Sequence, residues 1–109
     1  MADNRKYYYL KLKENFFDSD SIVLLEDMKD GILYSNILLK LYLKSLKNGG
    51  RLQLDEHIPY TAQMIATLTR HQIGTVERAL AIFQQLGLVE QLDCGLLYMT
   101  DIELMIGQS

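Results

Sequence analysis

Residues 72–99, "QIGTVERALAIFQQLGLVEQLDCGLLYM", constrain the fold more than any other stretch, because their hydrophobic rhythm changes halfway. Val76, Ala79, Leu80, Phe83 and Leu86 recur at the spacing of one helix face, the pattern of a helix laid against a core. Past Gly87 the apolar residues run "LVEQL" and "LLYM" around a short turn, which predicts strands at 88–92 and 96–100. Gly95 in the "DCG" turn offers the positive φ that a tight hairpin needs. A helix therefore feeds straight into a hairpin.

Upstream, "KYYYLKLK" alternates, with Tyr8, Leu10 and Leu12 on one side and Tyr7, Tyr9 and Lys11 on the other. With its aromatic content, that predicts a strand. "DSDS" supplies N-cap candidates, and "IVLLEDMKDG" reads as a short helix closed near Gly31. Residues 32–47 predict a largely buried helix: Tyr34, Ile37, Leu38, Leu41 and Tyr42 share one face, widened by Leu39, Leu43 and Leu46. "NGG" at 48–50 stops it, since Asn and Gly tolerate the left-handed conformation found just past a helix end. "RLQL" then fits a short strand, and "DEHIPY", with the chain's one proline, a loop. Thr61 is placed to cap a helix "AQMIATLTR" with Met64, Ile65 and Leu68 inward. After the turn "HQIG" the next helix is expected to begin at Thr75.

From residue 32 the order is helix, short strand, helix, helix, strand, strand. The fold class expected is mainly α with a small antiparallel β-sheet, a winged helix-turn-helix with an N-terminal strand and helix extension. The extension spans 1–31 and is a candidate self-association element; the winged core spans 32–101. The closing segment 102–109 still carries Ile102, Leu104, Met105 and Ile106, so it is expected to pack back on the domain and to lead to a C-terminal region beyond this chain.

The 109 residues, 49% hydrophobic and 23% charged, suit one ordered domain. A single cysteine excludes an internal disulfide and a four-thiolate zinc site, as expected in a reducing cytoplasm. No apolar run approaches the roughly 18 residues of a membrane span, and "MADNRKYYYL" is too polar for a signal peptide. A cytoplasmic protein without a membrane partner is expected. The chain has no glycine-rich phosphate loop, no nucleophile elbow and no metal-ligand spacing. His57 and His71 lie on different elements, Cys94 sits in a turn, and Glu26, Asp27 and Asp30 read as a wet helix face. Neither enzyme activity nor a cofactor is expected.

A helix joined to a second helix and then a hairpin is the arrangement of a DNA reader, yet the net charge is -3. Residues 1–51 hold nine Lys/Arg against seven Asp/Glu, a net +2, whereas 52–109 hold two against seven, a net -5. An acidic total opposes strong nonspecific DNA binding, because affinity grows with the phosphates neutralised. A local basic face remains compatible with it.

Gln72, Thr75 and Arg78 stand at or near the start of the helix that precedes the hairpin. A recognition helix reaches base edges with that part, and all three side chains hydrogen-bond to bases, Arg with two bonds to guanine. The alternative is that every amphipathic helix has a polar face. Lys40, Lys44 and Lys47 form a stripe on the long helix, followed by Arg51; with Arg70 they are candidates for phosphate contact. A solubilising edge is the plainer account. "NRK" at 4–6 with Lys11 and Lys13 makes a second basic set, and the "DCG" tip carries no basic residue. Tyr7, Tyr8, Tyr9 and Leu10 are candidates for self-association, since an exposed aromatic strand edge invites pairing.

"YYYLKLKENFF", "LKSLKNGGRL" and "TVERALAIFQQLGLVE" with its following Gly turn resemble the N-terminal domain of phage replisome organisers of Gram-positive hosts, across nearly the whole chain. The resemblance implies a winged-helix domain of a replication initiator, with DnaD-like architecture. Its implied partners are double-stranded DNA at the phage origin, further copies of itself, and host replication proteins reached through a C-terminal region that the chain lacks. Two other readings stand beside it: a winged-helix module for assembly or protein interaction with weak DNA binding, and a transcriptional regulator.

Overall fold

The computed structural model describes residues 7–108; the "NRK" set at 4–6 falls outside them. Four helices carry the fold: α1 (Asp20–Asp27), α2 (Gly31–Ser45), α3 (Ala62–Thr69) and α4 (Ile73–Gln85). Six short strands pair antiparallel around them: β1 (Tyr8–Leu10), β2 (Gln53–Asp55), β3 (Ile58–Pro59), β4 (Val89–Gln91), β5 (Leu97–Met99) and β6 (Ile106–Gln108). The class is mainly α with small β-sheets, and from α2 onward the elements follow the order expected of a winged helix.

One core joins all parts of the chain. Ile37, Leu38 and Leu41 of α2 meet Ile65 of α3 and Val76, Ala79 and Phe83 of α4, closed by Leu52 just before β2, Val89 of β4 and Met99 of β5. Ile22 and Leu25 of α1 and Ile102 near the C-terminus belong to the same cluster. The described residues of 7–31, 32–101 and 102–108 thus share a single interior, which a chain of this length needs in order to bury enough apolar surface.

Several local expectations shift by a few residues. Gly31, expected to close the first helix, instead opens α2. Its glycine is required by a close approach, since a Cβ there would collide with the backbone of Glu26. The stop at "NGG" holds: Gly49 takes φ 62°, after a 3-10 turn at Leu46–Asn48. Leu43, assigned to the buried face of α2, is 54% exposed, because that face is already filled by Tyr34, Ile37, Leu38, Leu41 and Tyr42. The loop "DEHIPY" contains β3, which pairs with β2 through Asp55 and Ile58. In α3 the inward face is Ile65, Ala66 and Thr69, whereas Met64 and Leu68 flank a shallow groove with Leu54 and Tyr60.

The hairpin forms as its sequence dictates: Val89, Glu90 and Gln91 face Met99, Tyr98 and Leu97, and Gly95 takes φ 85° in the turn. Residues 50–52 line the other edge of β5. Leu52 N donates to Leu97 O at 2.9 Å and Met99 N to Gly50 O at 2.8 Å, so the β4–β5 hairpin has a third strand in all but name.

The first and last described strands close on each other. Tyr8, Tyr9 and Leu10 pair with Gln108, Gly107 and Ile106, and Lys11 N donates to Met105 O at 2.7 Å. The aromatic strand therefore has one edge covered by the chain itself. A Cβ at Gly107 would run into the Tyr9 ring, so a side chain there would require that half-exposed ring to move.

Candidate nucleic-acid interface

The geometry of the helix-turn-helix is set by three backbone features. Thr61 caps α3, its Oγ1 accepting from Met64 N at 3.1 Å. Arg70 ends α3 in the left-handed region at φ 61°, a conformation uncommon for a side chain larger than Asn, and His71 N donates back to Ala66 O at 3.1 Å. Gln72 is extended and serves as the N-cap of α4, with Val76 N donating to its carbonyl at 3.0 Å. α4 thus starts at Ile73, two residues before the Thr75 that sequence reasoning chose; Thr is the better cap by type, but the backbone turns at 70–72.

That earlier start changes where the expected base readers lie. Gln72 is exposed at the very entry of α4. Thr75 is 7% exposed, since it flanks the buried Val76 and Ala79, and so it is not presented to solvent as the sequence suggested. Arg78 is exposed but not loose. Its Nε donates to Tyr34 Oη at 3.4 Å and its Nη2 to Thr75 Oγ1 at 3.5 Å. The same Nη2 lies 3.7 Å from Asp30 Oδ2. The hydrogen bond to Tyr34, aided by the Asp30 charge, holds the guanidinium pKa above its ordinary value.

The sequence profile of the N-terminal phage replisome organiser family matches residues 9–109. The chain belongs to that family. No curated protein and no solved structure shows significant similarity to it. Membership gives the domain a role in phage replication, and the matched region of this replisome organiser domain takes in α1 to α4, the β4–β5 hairpin and β6.

The basic residues of the organiser domain divide into those that are free and those that hold the fold. Lys40 donates through Nζ to Thr69 O at 2.7 Å, so it ties α2 to an otherwise orphaned carbonyl at the end of α3. Lys44, Lys47, Arg51 and Arg70 have exposed side chains. His71 Nε2 lies 2.8 Å from Asn36 Oδ1; that oxygen only accepts, so Nε2 carries the proton. Burial first, then the charges of Lys40 and Arg70, lower the His71 pKa. Among the described residues no group of three or more His, Cys, Asp or Glu is placed to hold a metal ion, and no helix there is long and apolar enough to cross a membrane.

Sequence reasoning missed Asp30, Tyr34 and Asn36 as neighbours of the interface. Tyr34 and Arg78 are 44 residues apart, and periodicity reports only a residue's own helix face. The buried hydroxyl of an otherwise apolar position was the one available signal, because such a group needs a partner.

Proposed function

We propose that this domain binds duplex DNA at the phage replication origin and helps assemble the replisome there, with the start of α4 entering the major groove. The observation that carries this reading is the turn between α3 and α4 in a chain of this family. It leaves Arg70 and Gln72 exposed at the entry of α4, and Arg78 exposed about one and a half turns further along a helix that is otherwise fixed by its buried face. Gln72 and Arg78 read bases, and Thr75 supports Arg78 from beneath. Lys44, Lys47, Arg51 and Arg70 meet phosphates and position the helix without reading sequence. Copies of the domain associate through the strand Tyr7, Tyr8, Tyr9 and Leu10, and host replication proteins are engaged in the infected cell's cytoplasm by parts outside these residues.

A second reading, a module for assembly or protein interaction with weak DNA contact, is favoured by the exposure of Val23, Leu24 and Ile32 at 51%, 56% and 69%. Where such side chains form one contiguous surface, they mark a protein contact. Titrating the domain against origin duplex and scrambled duplex at two salt concentrations separates the two. Tighter binding to origin, weakening as salt rises, supports the DNA reader; a stable oligomer that binds neither duplex supports the interaction module.

A further inference from the structure

Two surfaces of the domain set exposed apolar side chains beside unpaired charges. The first is a groove of about 280 Å3 between β2 and α3, walled by Leu54, Tyr60, Met64 and Leu68 with Gln63 and Thr67. α3 adds no charge to it, since Ala62–Thr69 holds no charged residue. Leu54 is 60% exposed, and Asp55 and Glu56 follow it into the turn between β2 and β3. The second surface is one side of β1 and its continuation. Tyr9 is 51% exposed, and the alternation of an extended chain carries Lys11 and Lys13 on its side; both lysines border a single cavity. Among the described residues Lys11, Lys13, Asp55 and Glu56 form no ion pair.

We infer that the groove between β2 and α3 receives segment 9–13 of a second copy of this chain, the Tyr9 ring lying against Leu54, Met64 and Leu68 while Lys11 and Lys13 meet Asp55 and Glu56. The inference rests on the self-association proposed above and names the surface that accepts the strand. One edge of β1 is already held by β6, so docking uses a face of the strand. A ring in an apolar groove supplies the affinity. The opposite charges select partner and orientation, because exposed ion pairs add little energy but penalise a wrong register. Net charge follows the same division, +2 over residues 1–51 and -5 over 52–109. Strand and groove are different surfaces, so the contact is heterologous: each copy keeps one free strand and one free groove, and copies add head to tail. Gln72 and Arg78 belong to neither surface.

The test is sedimentation of the whole domain over a concentration series, with melting curves to show that each variant is folded. A strand variant, Tyr9→Thr/Lys11→Thr/Lys13→Thr, keeps residues that favour an extended chain. A groove variant, Leu54→Thr/Thr67→Lys, changes two exposed side chains and sets an ammonium where the lysines of a second copy arrive. Wild type is expected to gain mass with concentration without stopping at a dimer, and to do so less as salt rises, because exposed charge pairs are screened. Each variant alone is expected to associate at least about tenfold more weakly, the effect of losing a central anchor. Mixed in equal amounts, the two variants have one intact strand and one intact groove between them, and they form a complex of two chains that grows no further. Lys11→Thr/Lys13→Thr and Leu54→Thr repeat the test with smaller changes. If the groove variant associates as wild type does while the strand variant does not, the strand docks elsewhere and this inference alone is overturned. It is overturned too if both variants are monomeric and their mixture stays monomeric, since strand and groove are then not partners. A wild-type domain that is monomeric at high concentration removes the self-association proposal with it.

Discussion

Arg78 carries the sharpest demand on a single side chain. If it grips guanine, Arg78→Ala lowers affinity for origin duplex about ten- to a hundredfold and relaxes preference at one base position. Arg78→Lys does not restore it, because an ammonium cannot present two parallel donors. With the side chain 57% exposed and its contacts at 3.4 to 3.7 Å, thermal stability should barely change. Competitive binding to origin duplexes with single-base changes checks both variants, and equal preference in all three proteins would remove Arg78 as a reader. His71 gives a second residue-level test, in pH. Its folded pKa lies below the ordinary 6.5, so the unfolded chain binds the proton more tightly. The stability it contributes is complete above about pH 6.5 and is lost as pH falls towards the depressed folded value. His71→Gln keeps a donor for Asn36 and cannot titrate; thermal melts across that window should show a smaller acid loss in the variant than in wild type.

At the scale of elements, α2 shows that three lysines in one stripe need not share one task. Lys40 is anchored on the Thr69 carbonyl, whereas Lys44 and Lys47 are exposed. Lys40→Met, which keeps the stem, should destabilise the domain by about 1.5 to 3 kcal/mol, the usual worth of a hydrogen bond from a charged group. Neutralising Lys44 and Lys47 together should leave the melting temperature unchanged while weakening origin and scrambled duplex alike; a loss confined to origin duplex would contradict a backbone role. The stripe was legible in the sequence as a pattern, but its division was not, because spacing along α2 says nothing about where α3 ends. The same limit explains α4. Val76, Ala79, Leu80 and Phe83 announced its buried face, and Gly95 its hairpin, since both depend on local geometry. The start at Ile73, the burial of Thr75 and the tether from Asp30 and Tyr34 depend on how α2 crosses α4, and that is a tertiary fact.

For the whole molecule the decisive feature is that β1 and β6 pair across almost the full length of the chain. The alternation of "KYYYLKLK" predicted the strand but not its partner, because the three residues of β6, Ile106–Gln108, are too few to carry a period of their own. One edge of β1 is thereby satisfied, and the self-association proposed for this strand must use its exposed faces or its remaining edge. Tyr7, Tyr8 and Tyr9 are 57%, 36% and 51% exposed, an aromatic surface of the kind that favours association. Deleting residues 1–13 should therefore lower the mass seen by sedimentation. The same deletion unpairs β6, so the melting temperature should fall, while the helical signal in circular dichroism persists because α1 to α4 and their core lie downstream of the cut. Gly107→Ala helps to separate the two effects: its Cβ would meet the Tyr9 ring, so this half-exposed ring must swing aside or the β1–β6 pair must loosen, with all three tyrosines kept. A deletion variant of unchanged mass, or a wild-type domain that stays monomeric at high concentration, would rule out association through this strand and leave the β1–β6 pair as a clasp for the fold alone.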